Sequence, residues 1–248
     1  EKEIMAKIDF LNKWQAKEVK IQQPPEPIQP TEPQFFLADK PAAPSSVISM
    51  GYTSLKYDVT GDFYKNRIAN FSFGGNFNSR LNLNLREEKG YTYGIYSTFT
   101  VNKYAGSFKI NSSVKRAATA VSLAEIIKEF KHFVENGITD KELDFTKNAL
   151  LNEEALKYES PYQKADFLSN IVRYNLEKDY TEWQNQLLKN SSKDEVNQQI
   201  KKYFTPNKLI TVVVGDKSIV ENQLERAAKD LKNKEALNKV KFKKITLD

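Results

Sequence analysis

Apolar positions recur along this chain in two rhythms, and a break between them divides it. Ile4, Ile8, Leu11 and Trp14 fall at helical spacing, which predicts a short amphipathic helix over residues 4–15. Prolines at 24, 25, 27, 30 and 33 then exclude both helix and central strand, so 23–34 reads as an extended linker. Beyond it, Phe35–Asp39 is a short strand, and Val47–Tyr57 alternates as a second. Phe63–Phe73 and Phe77–Lys89 read as helices. Tyr91–Val101 and Tyr104–Val114 form a hairpin with Asn102 and Lys103 at its turn. Ala117, Val121, Ala124, Ile127, Phe130 and Val134 make the stripe of a helix over 115–135, which Gly137 stops.

The second half is mostly helical. Thr139 with Glu142, and Ser192 with Glu195, are spaced as capping boxes, in which hydroxyl and carboxylate satisfy orphan amides at a helix start. Pro206-Asn207 breaks the helix that ends near Tyr203. Leu209–Val214 is β-branched and too short for a helix, so it reads as a buried strand. Gly215-Asp216 ends it, and a last helix spans Ile219–Lys232. The order ββ-αα-ββ-αααα-β-α predicts an α+β two-layer sandwich, a mostly antiparallel sheet packed against helices. The expected organisation is a tail helix of a preceding domain (1–22), a Pro-rich linker (23–34) and one domain over 35–248.

Composition narrows the chemistry. With 248 residues the chain can bury a core without staples, and with no cysteine it has no disulfide or thiolate metal site. Its net charge of +6 is small against 38 basic and 32 acidic residues. The basic residues are interspersed with acids, as in Lys193-Asp194-Glu195, which describes a solvated face and argues against a nucleic-acid partner. No apolar run approaches the ~20 residues of a membrane span. Glu1-Lys2-Glu3 opens a charged segment unlike a secretory leader, so the first residue reads as an artificial or a processing boundary.

A hydrolytic zinc site needs two imidazoles on one face, a third ligand and a carboxylate base. This chain has one histidine, His132, followed by Glu135 and Asn136: HxxE without the second His. It reads as a surface histidine, and neither a catalytic residue nor a metal ligand is expected here. No Gly-x-Ser-x-Gly elbow or phosphate loop is present. Arg86 falls in the last turn of its helix, Lys89-Gly90 turns the chain, and Tyr93 lies on the next strand. Tyr91, Tyr93 and Ile95 are expected to share one sheet face. A guanidinium and a phenol on one side suit a peptide carbonyl or developing oxyanion. An arginine in a last helical turn also favours the helix dipole, and strand tyrosines are ordinary.

Gly74-Gly75-Asn76-Phe77-Asn78-Ser79-Arg80-Leu81, running into Leu85-Arg86-Glu87-Glu88-Lys89-Gly90-Tyr91-Thr92-Tyr93-Gly94, resembles the non-catalytic C-terminal half of pitrilysin/insulinase-type zinc peptidases, whose zinc motif is HxxEH. The zinc-binding half has no counterpart here. The resemblance implies that this chain clamps peptides or unfolded polypeptides for a zinc metallopeptidase and is inactive alone. Zinc would sit in an HxxEH-bearing catalytic partner, domain or subunit. Arg86 and Tyr93 would hold the substrate backbone and polarise the scissile carbonyl, while Ser79 and Arg80 would be packing and capping residues. Residues 1–22 would be the tail of a preceding copy of the same domain. The alternative is a non-peptidase structural subunit, a role some family members take. The Lys/Asn/Ile-rich composition suggests a low-GC bacterium, and analogy a periplasmic or otherwise extracytoplasmic setting.

Overall fold

The computed structural model describes residues 2–245, apart from 16, 21, 23, 24, 26, 27, 59, 60 and 157. Four positions of the expected linker therefore lie outside the described residues, as do Glu1 and 246–248. The N-terminal segment is a short helix α1 (Lys2–Lys7) followed by a 3-10 turn over Asp9–Lys13. Its Ile4, Met5, Phe10 and Trp14 are exposed.

The sheet comprises β1 (Gln34–Asp39), β2 (Ser45–Ser54), β3 (Thr92–Val101), β4 (Gly106–Lys115), β5 (Ile210–Gly215) and β6 (Phe242–Ile245). Their spatial order is β3-β4-β2-β5-β1-β6. The pairings β3–β4, β4–β2 and β2–β5 are antiparallel, whereas β1 runs parallel to both β5 and β6. The α+β sandwich holds, with one departure from local pairing: β1 and β2 are consecutive in sequence, yet β5 lies between them.

The helices follow as α2 (Asp62–Asn70), α3 (Arg80–Asn82), α4 (Thr119–Asn136), α5 (Asp140–Leu156), α6 (Pro161–Tyr174), α7 (Tyr180–Asn190), α8 (Lys193–Tyr203), α9 (Lys217–Lys229) and α10 (Leu231–Leu237). α2 runs on into a π-helical stretch over Phe71–Gly75, and α3 into another over Leu83–Glu88. Both capping boxes form: the Glu142 and Glu195 amides donate to the Thr139 and Ser192 hydroxyls at 3.2 Å each. Sequence reading missed a third, Ser160 with Gln163, which starts α6. It also ran α9 too far. Asp230 breaks that helix and caps α10, its carboxylate accepting from the Lys232 amide.

Period-two burial explains the layers. Ile48, Met50, Phe108 and Ile110 point to the helical face and are fully buried, while Ser49, Lys109, Asn111 and Ser113 occupy the other face. Five phenylalanines hold the layers together. Phe73 contacts Phe130, Phe133 and Phe204 with ring centroids 4.8–6.1 Å apart, and Phe108 stacks beneath them. Each buried ring contributes ~1.5–3 kcal/mol of burial, so this cluster fixes where α4 and α8 sit on the sheet.

Candidate functional site

The segment between α2 and β3 positions Arg86 and Tyr93, and buried polar contacts hold it from both ends. At its start the backbone lies too close to β3 for a side chain: a Cβ on Gly74 would stand 2.4 Å from Ser97 Oγ and 2.8 Å from Ser97 N. Asn70 reinforces the approach by donating from Nδ2 to the Ser97 carbonyl at 2.9 Å. Next, Leu81 and Leu85 are fully buried one turn apart and anchor the helical stretch. Tyr91 N then donates to Leu85 O at 2.8 Å and closes the turn at Gly90, whose φ of 61° favours glycine.

Arg80 pins the same segment to the α4–α5 corner. Its Nε donates to Glu142 Oε1 at 2.6 Å, and its Nη2 donates to Glu142 Oε2 at 2.7 Å and Gly137 O at 2.8 Å. Burial alone would raise the Glu142 carboxyl. The hydrogen bonds from Arg80 and the Thr139 amide, with the Arg80 charge, outweigh it and hold the group below the usual carboxylate range. Further along, Asn84 Nδ2 donates to Glu129 Oε1 at 2.8 Å, fixing the segment to α4.

Tyr93 is displayed by a β-bulge that sequence reading did not foresee. Thr92 pairs with Val114, but Ile95 pairs with Ser112, so β3 carries one extra residue. Tyr93 and Ile95 therefore do not share a face, correcting the expectation from strict alternation. Ile95 is fully buried, whereas Tyr93 is 94% exposed. Two side chains hold the bulge. Thr92 Oγ1 donates to Ser113 O at 2.7 Å and accepts the Gly94 amide at 3.1 Å. The fully buried Asn82 accepts the Ile95 amide at 3.0 Å and donates to Asn76 O at 3.1 Å.

Arg86 and Tyr93 line one open cleft of about 600 Å³, with Pro44, Glu87 and Lys115 on its wall. The Arg86 guanidinium lies over the Phe77 ring, 3.9 Å from its centroid, and contacts the Glu87 carboxylate. Phe77 is itself half exposed. A stacked, planar cation and an unburied phenol thus line the same cleft, the first carrying several N–H donors and the second one O–H donor. Phe77 and Asn82 were not singled out from the sequence as supports. The asparagine's backbone partners lie six and thirteen residues away, across the turn into β3, which no periodic pattern reveals.

The donor set does not fit zinc. His132 lies on the exposed side of α4, and among the described residues no three His, Asp or Glu side chains converge. No described helix is long and apolar enough to cross a membrane.

A family comparison decides the lineage of this arrangement: the peptidase M16 inactive domain matches residues 2–150, which include the whole Gly74–Gly94 segment. The chain belongs to the peptidase M16 inactive-domain family. Among its relatives, "Non-peptidase homolog YmxG" of Helicobacter pylori is 28% identical over 160 residues, covering 64% of this chain and 37% of that protein. The solved peptidase M16 inactive domain from Pseudomonas fluorescens superposes with a TM-score of 0.71 at 26% identity, over 80% of this chain and 46% of the other. The periplasmic protease PqqL from Escherichia coli shares the fold, with a TM-score of 0.60 at 17% identity, over 87% of this chain and 24% of PqqL. This M16 inactive domain thus spans less than half the length of each of these relatives.

Proposed function

We propose that this chain is the substrate-clamping, non-catalytic half of a zinc metallopeptidase acting on peptides or unfolded polypeptides. The observation that carries the reading is the shared cleft, in which Arg86 is braced on Phe77 and Tyr93 is held out by the β-bulge. Arg86, braced on Phe77, loses little rotamer freedom when it engages a peptide carbonyl. Arg86 and the Tyr93 hydroxyl on one carbonyl draw electron density from it and hold it in register. In this reading residues 1–22 are the tail of a preceding domain and 23–34 the crossing to this one. The HxxEH motif and its zinc belong to the partner half, and the setting is periplasmic, as named for PqqL.

The test is peptidase activity on a mixed unfolded-peptide library with zinc supplied. This chain alone is expected to show none, and this chain joined to its HxxEH-bearing half is expected to cleave. In the joined form, Arg86→Ala and Tyr93→Phe lower kcat/KM with zinc content unchanged. Full activity in both variants overturns the assigned role. A second reading, a non-peptidase assembly subunit, is favoured by the name of the Helicobacter pylori relative. It predicts a stable complex without peptidase activity in any combination.

A further inference from the structure

The face of the sheet turned away from the helices meets the Arg86 cleft, and its charge is one-sided. Tyr96, Asn111, Ser49, Val212, Phe36 and Lys243 are successive cross-strand partners and form one row across all six strands on that face. A ligand can reach it: Tyr96, Val47 and Ile210 are 48%, 46% and 37% exposed. Lys109, Asn111, Ser113 and Lys115 of β4 are exposed beside them. Ser113 and Lys115 also line the cleft that holds Arg86 and Tyr93. A polypeptide gripped in that cleft can therefore continue along β4 without leaving the protein surface.

Strand alternation puts three lysines on this face. Lys109 and Lys115 alternate with the buried Phe108, Ile110 and Val114, and Lys243 alternates with Phe242, which packs on Phe35 on the helical side. The strands supply no carboxylate to answer them. Asp39 is the only acid in the six strands, and its Oδ1 accepts the Lys217 amide at 3.0 Å at the start of α9. Glu87, the acid on the cleft wall, already contacts Arg86.

Among the described residues none of the three lysines has an ion-pair partner, and Lys243 instead lies over the Phe36 ring, 6.0 Å from its centroid. Lys109 and Lys115 stand six residues apart on one strand, about 20 Å. Lys243 lies four strands from β4, about 19 Å across the sheet. The helical surfaces differ: there, lysines face acids, as in Lys128 with Glu125, Lys193 with Asp140 and Lys202 with Asp62. Cations spread over an open face without counter-charges attract a ligand that brings carboxylates and repel one that brings amines.

From this unanswered charge beside the cleft, we infer that the open sheet face selects acidic segments of the polypeptide, with Lys109, Lys115 and Lys243 as specificity-determining residues. This selection rests on the clamp reading proposed above and adds a substrate class to it. Glu and Asp side chains flanking the held carbonyl pair with the lysines. The hydroxyl and amide groups of Tyr96, Asn111 and Ser49 suit the backbone between them, and Val212 and Phe36 receive an apolar side chain. Exposed ion pairs are individually weak, so the selection is graded rather than absolute.

The probes are three unstructured peptides of about twelve residues, long enough to span Lys109 to Lys115. They differ only at four positions, filled with Glu, Gln or Lys, and carry the same uncharged fluorophore. Binding to this chain is read by fluorescence anisotropy. At low salt the Glu peptide should bind about threefold to tenfold more tightly than the Gln peptide, and the Lys peptide more weakly than either, with the differences shrinking as salt is raised. Lys109→Gln combined with Lys243→Gln should bring the Glu-to-Gln ratio close to one. Lys244→Gln removes the same charge from the helical side of β6, where Lys244 pairs with Leu37, and should leave the ratio as it is. Equal binding of the Glu and Gln peptides, with Arg86→Ala weakening both, overturns the selection and leaves the clamp standing. A charge preference that persists while Arg86→Ala weakens neither peptide supports the acidic surface and removes the clamp. Binding of none of the three peptides overturns both. An oligothymidine that displaces the Glu peptide at a lower concentration than unlabelled Glu peptide does would also overturn the inference, making this a phosphate-backbone surface.

Discussion

Replacing Arg80 by methionine removes the pin between α3 and the α4–α5 corner while keeping most of the side chain's apolar length. Arg80 makes two charge-assisted hydrogen bonds to Glu142 and a third to the Gly137 carbonyl. Hydrogen bonds to charged groups contribute ~1.5–3 kcal/mol each in favourable settings. Breaking a fully buried pair costs ~3–5 kcal/mol, because the stranded charge stays desolvated. Here the side chains are 16% and 25% exposed, so water relieves part of that penalty. The expected loss is ~2–3 kcal/mol, or about 5–10 °C in Tm for a chain of this size. Glu142→Gln keeps one acceptor and should lose ~1–2 kcal/mol. The double variant measured by urea unfolding should show a coupling of ~1–3 kcal/mol. The pH dependence has a definite sign. Glu142 titrates below its unfolded value, so its contribution is complete above about pH 4.5 and is lost as pH falls through the depressed folded value. The gap between wild type and Glu142→Gln should therefore be constant from pH 5 to 7 and close in more acid solution. A coupling under ~0.5 kcal/mol, the range of exposed surface pairs, would refute the reasoning.

Two further perturbations test how the Arg86 segment is built. Gly74→Ala places a methyl 2.4 Å from Ser97 Oγ and 2.9 Å from Leu81 Cδ1, and should cost ~1–3 kcal/mol in urea unfolding; unchanged stability would mean that the π-helical stretch after α2 and β3 are not in hard contact. Asn82→Leu strands the Ile95 amide, while the Asn76 carbonyl keeps only the Ser79 amide, and should destabilise by ~1–3 kcal/mol. It should also speed hydrogen exchange of the Ile95 amide more than that of Ile110, and equal protection would show that the bulge holds itself.

The parts of the fold written in local pattern were legible in the sequence. Alternation located β1 to β5, Gly137 ended α4 at a φ of 67°, and both capping boxes formed where Thr139 and Ser192 placed them. The same signals stopped short at the C-terminus. β6 is four residues with three exposed, and it pairs only with β1 from the far end of the chain, so no local rhythm marks it. At the cleft, Arg86 and Tyr93 were found through a resemblance carried by the Gly74–Gly94 segment. Their relative placement was not legible, because strict alternation puts Tyr93 on the same face as Ile95. The extra residue in β3 is fixed by Thr92 bonding across to β4 and by Asn82 from the preceding helix, contacts that period two cannot encode.

The position of β1 has a consequence for biogenesis. Both of its sheet neighbours, β5 and β6, come from the last fifth of the chain. While a ribosome is still extending the chain through α8, β1 can pair with neither of them, and its apolar Phe35, Leu37 and Ala38 have no sheet to enter. The β3–β4–β2 sheet can form early from nearby segments, but the central joint of the sheet closes only when β5 slides between β2 and β1. Such late, non-local closure is slow, and it leaves two strand edges open in the meantime. A nascent chain of this topology therefore keeps those edges exposed until its own C-terminus arrives.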